Sequence, residues 1–480
     1  MRSDRGERVM PMARLLRFAI LILLCILGAG SAFASGGACF VVTPSGSGAM
    51  TGANWNNAFA GIPKTLVRGD IYYLADGSYG SYTFSTADSS TTTVEIRKAQ
   101  SYDNCTSTGW NTSTMGSSQA VFATAPTAFK ISNDYFILNG NGQQSSPGCG
   151  GTPSTPTTEP ATPSDCGIRV DNSSCSGSGM GSCNYAIATT STGLQNITLE
   201  YVEVAGKGDN VSENGLIGNS ITNAVFNHVF GRNTGCDFIQ WVGPNQLVEF
   251  SYWWVTNTSN SDTCHPQYES FYGSTGNDTE HDNVYRDING SAVISFTAPS
   301  AGAHSGLVLY NNVFWQTSGG PYTTSGLDDG IIGVLQGTLT GMVFVQNTMI
   351  NLPGYATGWY MASPGQSGII ENNLWYNAGN FSLGNGTWTE DHNSFLGMNC
   401  PGTLGTGDVC VQTSAPNPFV NWTSGNFNLA SENADWDTRV NLGAPYTVDP
   451  AGTVRSTDRG AYQFPSLFPA PPLNLTSVLP

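Results

Sequence analysis

Between Asp171 and Thr438 the sequence carries only three cationic side chains, Lys207, Arg232 and Arg286, and the whole chain has five histidines. The densest chemical grouping is His265-Pro-Gln-Tyr-Glu269, an imidazole four residues before a carboxylate. Imidazole titrates near neutral pH and takes or gives a proton there, so His265 is a candidate general base. His281 and His304 follow it, and His281 joins Lys207 and Arg232 as a candidate substrate contact. Five short segments, NGLIG (214–218), DFIQW (237–241), ESFYG (269–273), AVISF (292–296) and DGIIG (329–333), align Asn214, Asp237, Glu269, Ala292 and Asp329 at one position. If they are strands stacked one above another, the Asp237 and Glu269 carboxylates sit on neighbouring rungs about 5 Å apart. Two carboxylates that close repel unless one keeps its proton or a cation lies between them. The first state is an acid/base pair for glycosidic cleavage, and the second an oxygen-ligand calcium site on Asp237 and Glu269. The plain alternatives are solvated carboxylates at strand starts and a loop histidine bonded to backbone.

Such a grouping needs a scaffold that brings distant residues together, and the repeats supply one. A short apolar strand returns as ITLEYVEV (197–204), AVFNHVFG (224–231), LVEFSYWWV (247–255), NVYRDING (283–290), LVLYNNVFW (307–315), VFVQNTMI (343–350), IIENNLWY (369–376) and TEDHNSFLG (389–397). Aligning Tyr201, His228, Tyr252, Asp287, Asn312, Asn347, Asn373 and Asn393 gives spacings of 27, 24, 35, 25, 35, 26 and 20 residues. Each strand is too short to be stable alone, but one per coil, stacked, buries a continuous interior. Asn at a repeated turn suits left-handed backbone and amide ladders. No long i, i+3, i+4 apolar pattern supports helical repeats, and a β-sandwich does not predict one motif at this period. The expected class is all-β, a right-handed parallel β-helix. Trp55, Ala58, Phe59, Ile62 and Leu66 recur at helical spacing within Ala53–Val67, so a short N-terminal helix is expected to cover the open end of the stack. The expected organisation is a signal peptide over 1–34, cap and first coils over 35–128, the solenoid over 129–446, and a C-terminal cap and tail over 447–480. The long insertion Trp253–Arg286 is expected to overhang the second strand column and bring Asp237, His265, Glu269 and Arg286 together.

Charge narrows the partner. Lys and Arg number 17 against 34 Asp and Glu, a net charge of -17, which argues against a nucleic-acid ligand and against anionic membranes. Arg2, Arg5, Arg8, Arg14 and Arg17 precede an apolar run from Phe18 to Leu27 and the small-residue end Ala32-Phe33-Ala34. That layout is a secretory signal cleaved after Ala34, too short to span a membrane. Cys25 leaves with it, and ten cysteines remain in an exported chain with neither CxxC nor HxxxH pairs for zinc. Pairing of sequence neighbours gives Cys39–Cys105, Cys149–Cys166, Cys175–Cys183, Cys236–Cys264 and Cys400–Cys410.

The chain resembles the secreted parallel β-helix proteins of the pectate-lyase-like superfamily. The likeness rests on YNNVF (Tyr310–Phe314), the opening FVVTPSGSG (Phe40–Gly48), RGDIYYLADGSY (Arg68–Tyr79), and the closing DRGAYQF (Asp458–Phe464) after NPFVNW (Asn417–Trp422). The resemblance implies an extracellular, monomeric protein acting on a polysaccharide, foremost a lyase cleaving a uronate-containing polymer with bound calcium. Such a lyase needs a cation for the uronate carboxylate and a base, for which Lys207, Arg232, Arg286 and His265 are the candidates. A glycoside hydrolase using Asp237 and Glu269, or a non-catalytic surface scaffold that binds glycans, are the alternatives on the same framework.

Overall fold

A computed structural model describes residues 37–464 except 125, 144–146, 149–165, 176–182, 184, 190–192, 208–214, 219–220, 235–236, 242, 255–266, 272–275, 289–291, 297–301, 318–329, 353–358, 362–363, 413–414 and 456. Strands of two to five residues stack in parallel into three long sheets of 13, 12 and 9 strands, and from Ile71–Leu74 to Ser394–Leu396 successive strands of the chain fall in different sheets. One coil shows the pattern. Met342–Val345 lies in the first sheet, Thr348–Ile350 in the second, Trp359–Met361 in the third, and Ser367–Glu371 returns to the first, one rung on. This is a three-sheet parallel β-helix, and the handedness rule for parallel crossovers makes it right-handed. The first sheet runs unbroken from Cys39–Thr43 to Thr387–Asp391.

Apolar side chains that point inward form columns along the axis. In the first sheet Leu138, Leu199, Phe226, Val248, Leu309, Phe344 and Ile370 share one column. In the third, Ile187, Ile217, Ile239, Ile294 and Ile332 share another, and all of these belong to one continuous core. The second sheet stacks Trp253, Tyr285, Phe314, Met349 and Trp375. Gly231 precedes Trp253 in that column, and a Cβ there would lie 2.4 Å from the indole, so glycine makes room for the ring. The outer face of the second sheet is also covered: Phe419, Phe427, Leu429, Trp436 and Ala461 of the C-terminal segment pack on Tyr252, Trp254, Val313 and Trp315.

The turn between the first and second sheets carries the asparagine column. Oδ1 of Asn347 accepts from the backbone N of Asn312 at 3.0 Å and from its Nδ2 at 3.1 Å, while Asn347 Nδ2 donates to Leu309 O at 2.9 Å and to Asn373 Oδ1 at 3.2 Å. The same bonding links Asn283 to Asn312 and Asn373 to Asn393. Asn312, Asn347, Asn373 and Asn393 therefore stand on successive coils as expected. Upstream the column differs from the alignment. It continues through Asn283 and Ser251, whose backbone N–H donates to Asn283 Oδ1, and Val229, whose N–H donates to Ser251 Oγ. Tyr201 and His228 fall one residue earlier, at left-handed positions shared with Phe250, Asp282, Asn311, Gln346, Asn372 and His392. Tyr252 lies one residue later, and Asp287 sits at the next turn. Where serine and valine replace asparagine the polar signal fades, and matching by residue type slips.

The expected N-terminal helix is not formed. Ala53–Val67 holds a single 3-10 turn, Trp55–Asn57, followed by Phe59–Ala60, which adds as an edge strand beside Val42 and Thr43. Gly61 and Pro63 deny a helix its interior hydrogen bonds and favour extended chain. Trp55 is buried against Val41 and Tyr73 and donates its indole N–H to the carbonyls of Asn104 and Thr106. Disulfides Cys39–Cys105, Cys175–Cys183 and Cys400–Cys410 are present. Cys166 is disulfide-bonded; its expected partner Cys149, and the pair Cys236–Cys264, lie outside the described residues. So does the signal segment, and no described helix is long and apolar enough to cross a membrane.

Asn347→Ala would take the acceptor from the Asn312 backbone N–H and remove the amide bonds to Leu309 and Asn373 inside a closed interior. It should destabilise the chain by about 2–4 kcal/mol in urea unfolding. A loss below about 0.5 kcal/mol would show that the ladder contributes little.

Candidate functional site

The structure divides the described members of the expected constellation between two sheets, Asp237 and Glu269 in the third and Arg286 in the second. In the third sheet Asp237 pairs with Gly215, and Glu269 pairs with Ile239 and Ile294. Glu269 is therefore two residues out of the expected register with Asp237. The isoleucine column sets the pairing: a strand settles where its apolar side chains stay inside, and the acidic strand starts do not determine it. Glu269 is 1% exposed and points into the core, where no polymer reaches it. Asp237 is also buried. Burial pushes its carboxyl up to about 7, against hydrogen bonds from Gln240, Ser270 and the Gln267 backbone, of which Gln240 Nε2 donates at 2.7 Å. Asp237 and Glu269 therefore do not stand opposite one another, and the acidic groups that act on Glu269 are Glu280 and Asp278. Among the described residues no group of three or more His, Cys, Asp or Glu is arranged to hold a metal ion.

Arg286 and Arg232 lie on the outer face of the second sheet, in one column with Trp254 and Trp315. The Arg286 guanidinium is sandwiched, 3.4 Å from the Trp254 ring centroid and 4.5 Å from that of Trp315, beneath the C-terminal segment. This double cation–π contact locks it. Arg232 Nε lies 2.6 Å from Glu203 Oε1 in a buried ion pair, and Gln119 Nε2 donates to the other oxygen at 2.9 Å. Lys207 follows the strand Val202–Ala205 and is half-buried. His304 is enclosed against Phe271 and Phe296. His265, Asn214, Asp328 and Asp329 lie outside the described residues.

His281 stands apart from these, on the outer face of the first sheet. Its column reads Arg97, Asn139, Glu200, Asn227, Glu249, His281 and Tyr310. From Glu200 onward each of these residues ends its strand, just before a left-handed residue. Beside it runs a stack of rings along the axis: Tyr201 on His228 at 4.5 Å, His228 on Phe250 at 5.1 Å, Phe250 edge-on to His281 at 5.9 Å, and His281 on Tyr310 at 4.6 Å. Tyr446 of the C-terminal segment closes the far end edge-on to Tyr310.

The two histidines of this face are set in opposite states. His281 Nε2 lies 3.2 Å from Glu249 Oε2 and Nδ1 2.7 Å from Asp282 Oδ2. Burial works to lower its pKa, but hydrogen bonds to Asp282 and Glu249 outweigh it and push it up to about 9. Burial pushes His228 down to about 4, only partly offset by Glu249. The Nδ1 of His228 meets Asn227 Oδ1, and its Nε2 is buried without a hydrogen-bond partner. Burial, with Glu95 and Glu249 nearby, also raises the Glu200 carboxyl, against the pull of Arg97. The face thus combines a carboxyl whose proton affinity burial raises, a second glutamate, a neutral imidazole and an imidazolium. Reading the sequence missed Glu200 and Glu249. Both close the pattern apolar-x-apolar-acid or apolar-apolar-acid (ITLE, LVE), so aligning strand ends instead of strand starts would have found them.

Neither a protein-family profile nor a curated protein matches the sequence. Among solved structures, an alginate lyase from a Paenibacillus species is 12% identical with a TM-score of 0.43, covering 73% of this chain and 99% of that one. A pectate lyase is 15% identical with a TM-score of 0.40, covering 90% and 98%. A lacto-N-biosidase from Eubacterium ramulus is 11% identical with a TM-score of 0.39, covering 79% and 71%. Likenesses this distant carry no residue roles and no reaction. The parallel β-helix architecture stands on the chain's own strand order.

The pKa shifts have a measurable sign. His281 is raised in the fold, so its stabilisation is full below about pH 6.5 and fades as pH rises through about 9. His228 is lowered, so its contribution is present above about 6.5 and fades as pH falls towards 4. His281→Gln should therefore cost roughly 1–3 kcal/mol near pH 6 and progressively less towards pH 10 in urea unfolding. A pH-independent cost would contradict the ion-paired imidazolium.

Proposed function

We propose that the chain is an exported enzyme that cleaves an extracellular polysaccharide on the outer face of the first sheet, by acid/base hydrolysis of a neutral glycan. The observation that carries this reading is the placement of Glu200 and Glu249 in one outer column, two rungs apart with Asn227 between them. At ~4.8 Å per rung their backbones stand roughly 10 Å apart, near the upper end of the carboxyl separation that leaves room for a water in inverting hydrolases. Glu200, whose hold on a proton burial strengthens, donates its proton to the glycosidic oxygen. Glu249, oriented by His281, takes a proton from the water that attacks the anomeric carbon. The bond to the leaving oxygen breaks as the bond to water forms, and the anomeric configuration inverts. The face is acidic, with Glu95, Asp103, Glu200, Glu249 and Asp282 against Arg97 and His281, so a neutral chain meets no repulsion there.

A second reading, elimination on a uronate polymer, is favoured by one observation: His228 is neutral with Nε2 unpartnered, as a base requires. The charge of His281 would have to serve the uronate carboxylate, although Glu249 and Asp282 already share it.

Incubation with a panel of neutral and uronate polysaccharides, with and without calcium, separates these readings. Hydrolysis releases new reducing ends without ultraviolet-absorbing product, and Glu200→Gln lowers kcat by about 10²–10⁴ while stability stays within about 1 kcal/mol. Full activity of that variant would remove Glu200 from the mechanism. Unsaturated product, lost in His228→Ala, would establish elimination, and silence across the panel would establish a non-catalytic scaffold.

A further inference from the structure

The coil that carries the strands Glu269–Phe271, Thr279–His281 and Val284–Arg286 differs from its neighbours in its interior. Glu269 occupies the isoleucine column of the third sheet, between Ile239 and Ile294. Glu280 occupies the apolar column of the first sheet, between Val248 and Leu309. The two are 1% and 2% exposed, lie on one coil, and hydrogen-bond to each other across the core. Tyr285, in the inward column of the second sheet, donates its hydroxyl to Glu280 Oε2. One oxygen of each carboxyl, Glu269 Oε2 and Glu280 Oε1, is buried with no donor from the rest of the protein. Two ionised carboxylates cannot occupy such a space, because each would lack solvation and repel the other. A single proton on Glu269, donated to Glu280, satisfies both orphaned oxygens at once.

We propose that Glu269 and Glu280 share one proton inside the solenoid and act as a pH-sensitive latch, which holds the strands Glu269–Phe271, Thr279–His281 and Val284–Arg286 together at neutral pH and loosens them as the solution becomes alkaline. The groups that face the pair are Tyr268, Tyr285 and Asp278, all neutral or acidic. Tyr268 and Tyr285 are held in their hydroxyl form by burial and then by Glu280, and no cation among the groups acting on the pair offsets a second negative charge. Burial, then the neighbouring Glu280 and Asp278, raises Glu269. Because Glu280 already accepts from the Tyr285 hydroxyl, the negative charge rests on Glu280 and the proton on Glu269. The sign follows: the stabilisation is greatest below the ordinary carboxyl range and is lost as pH rises and the proton passes to solvent hydroxide. The latch bears on the outer face because Glu280 points in where the next residue, His281, points out on the same strand.

Two readouts test the latch independently of any activity. In infrared spectra near neutral pH, the wild-type chain should show carboxylic-acid carbonyl intensity that Glu269→Gln removes, since the amide replaces the shared proton. In hydrogen–deuterium exchange corrected for intrinsic rates, peptides covering these three strands should open several-fold faster from neutral to alkaline pH in the wild type, and far less so in Glu269→Gln. If Glu269→Gln does not fold, the double variant Glu269→Leu/Glu280→Leu restores both apolar columns and serves the same comparison. Equal carbonyl intensity in wild type and variant, or equal alkaline opening, would overturn the proposal.

Discussion

Each asparagine side chain between the first and second sheets bonds to two coils at once, and this bridging sets the geometry of the rest of the molecule. An amide has two donors and an acceptor with two lone pairs. In the column from Asn283 to Asn393 these are spent on the backbone N–H and side-chain amide of one neighbour, the carbonyl of its strand, and the acceptor of the next. Slipping one strand by one residue would break these bonds on both sides and turn apolar side chains outward. The left-handed residue immediately before each ladder residue is a consequence of the same turn, and it fixes where each first-sheet strand ends. The outer column with Glu200, Glu249 and His281 is therefore positioned by groups on the opposite side of the backbone.

Stacking also decides where charge goes. A solenoid has an interior, several outer faces and a C-terminal segment that covers one of those faces, so residues close in sequence can end in unrelated surroundings. Arg232 and Arg286 are scarce because the chain needs few cations, and both are used beneath covering structure, one against Glu203 and one between two indoles. The charge left without such cover lies on the first sheet, where among the described residues no apolar cluster covers Glu200, Glu249 and His281. The inward glutamates show the reverse case: a charged residue type made tolerable inside by giving up part of its charge.

The architecture was legible because it is written in period. Recurring short apolar strands at 20–35 residues and asparagine at the turn are direct traces of the inward columns and the amide ladder, and Asn312, Asn347, Asn373 and Asn393 lie where their spacing places them. The site was much less legible. Glu269 carries the same letter whether it faces solvent or the core, and only pairing with Ile239 and Ile294 distinguishes the two. The Asp237–Glu269 alignment matched polar to polar, whereas registry is decided by what must be buried. His281 was identified, but its partners Glu249 and Asp282 depend on the adjacent coil and on a left-handed turn, neither of which a linear pattern displays. The N-terminal segment failed in the same way, since helical spacing of Trp55, Ala58 and Phe59 does not outweigh Gly61, Pro63 and an open strand edge.

The central claim, that the outer face of the first sheet is where this protein meets its ligand, is tested most directly by imidazole NMR. The labelled histidine resonances would be followed while a neutral oligosaccharide and then a uronate oligosaccharide are added. His228 and His281 should shift together with one of them, and His304, enclosed against Phe271 and Phe296, should not move. Shifts confined to His265, or none at His228 and His281 with a ligand that demonstrably binds, would place the site elsewhere.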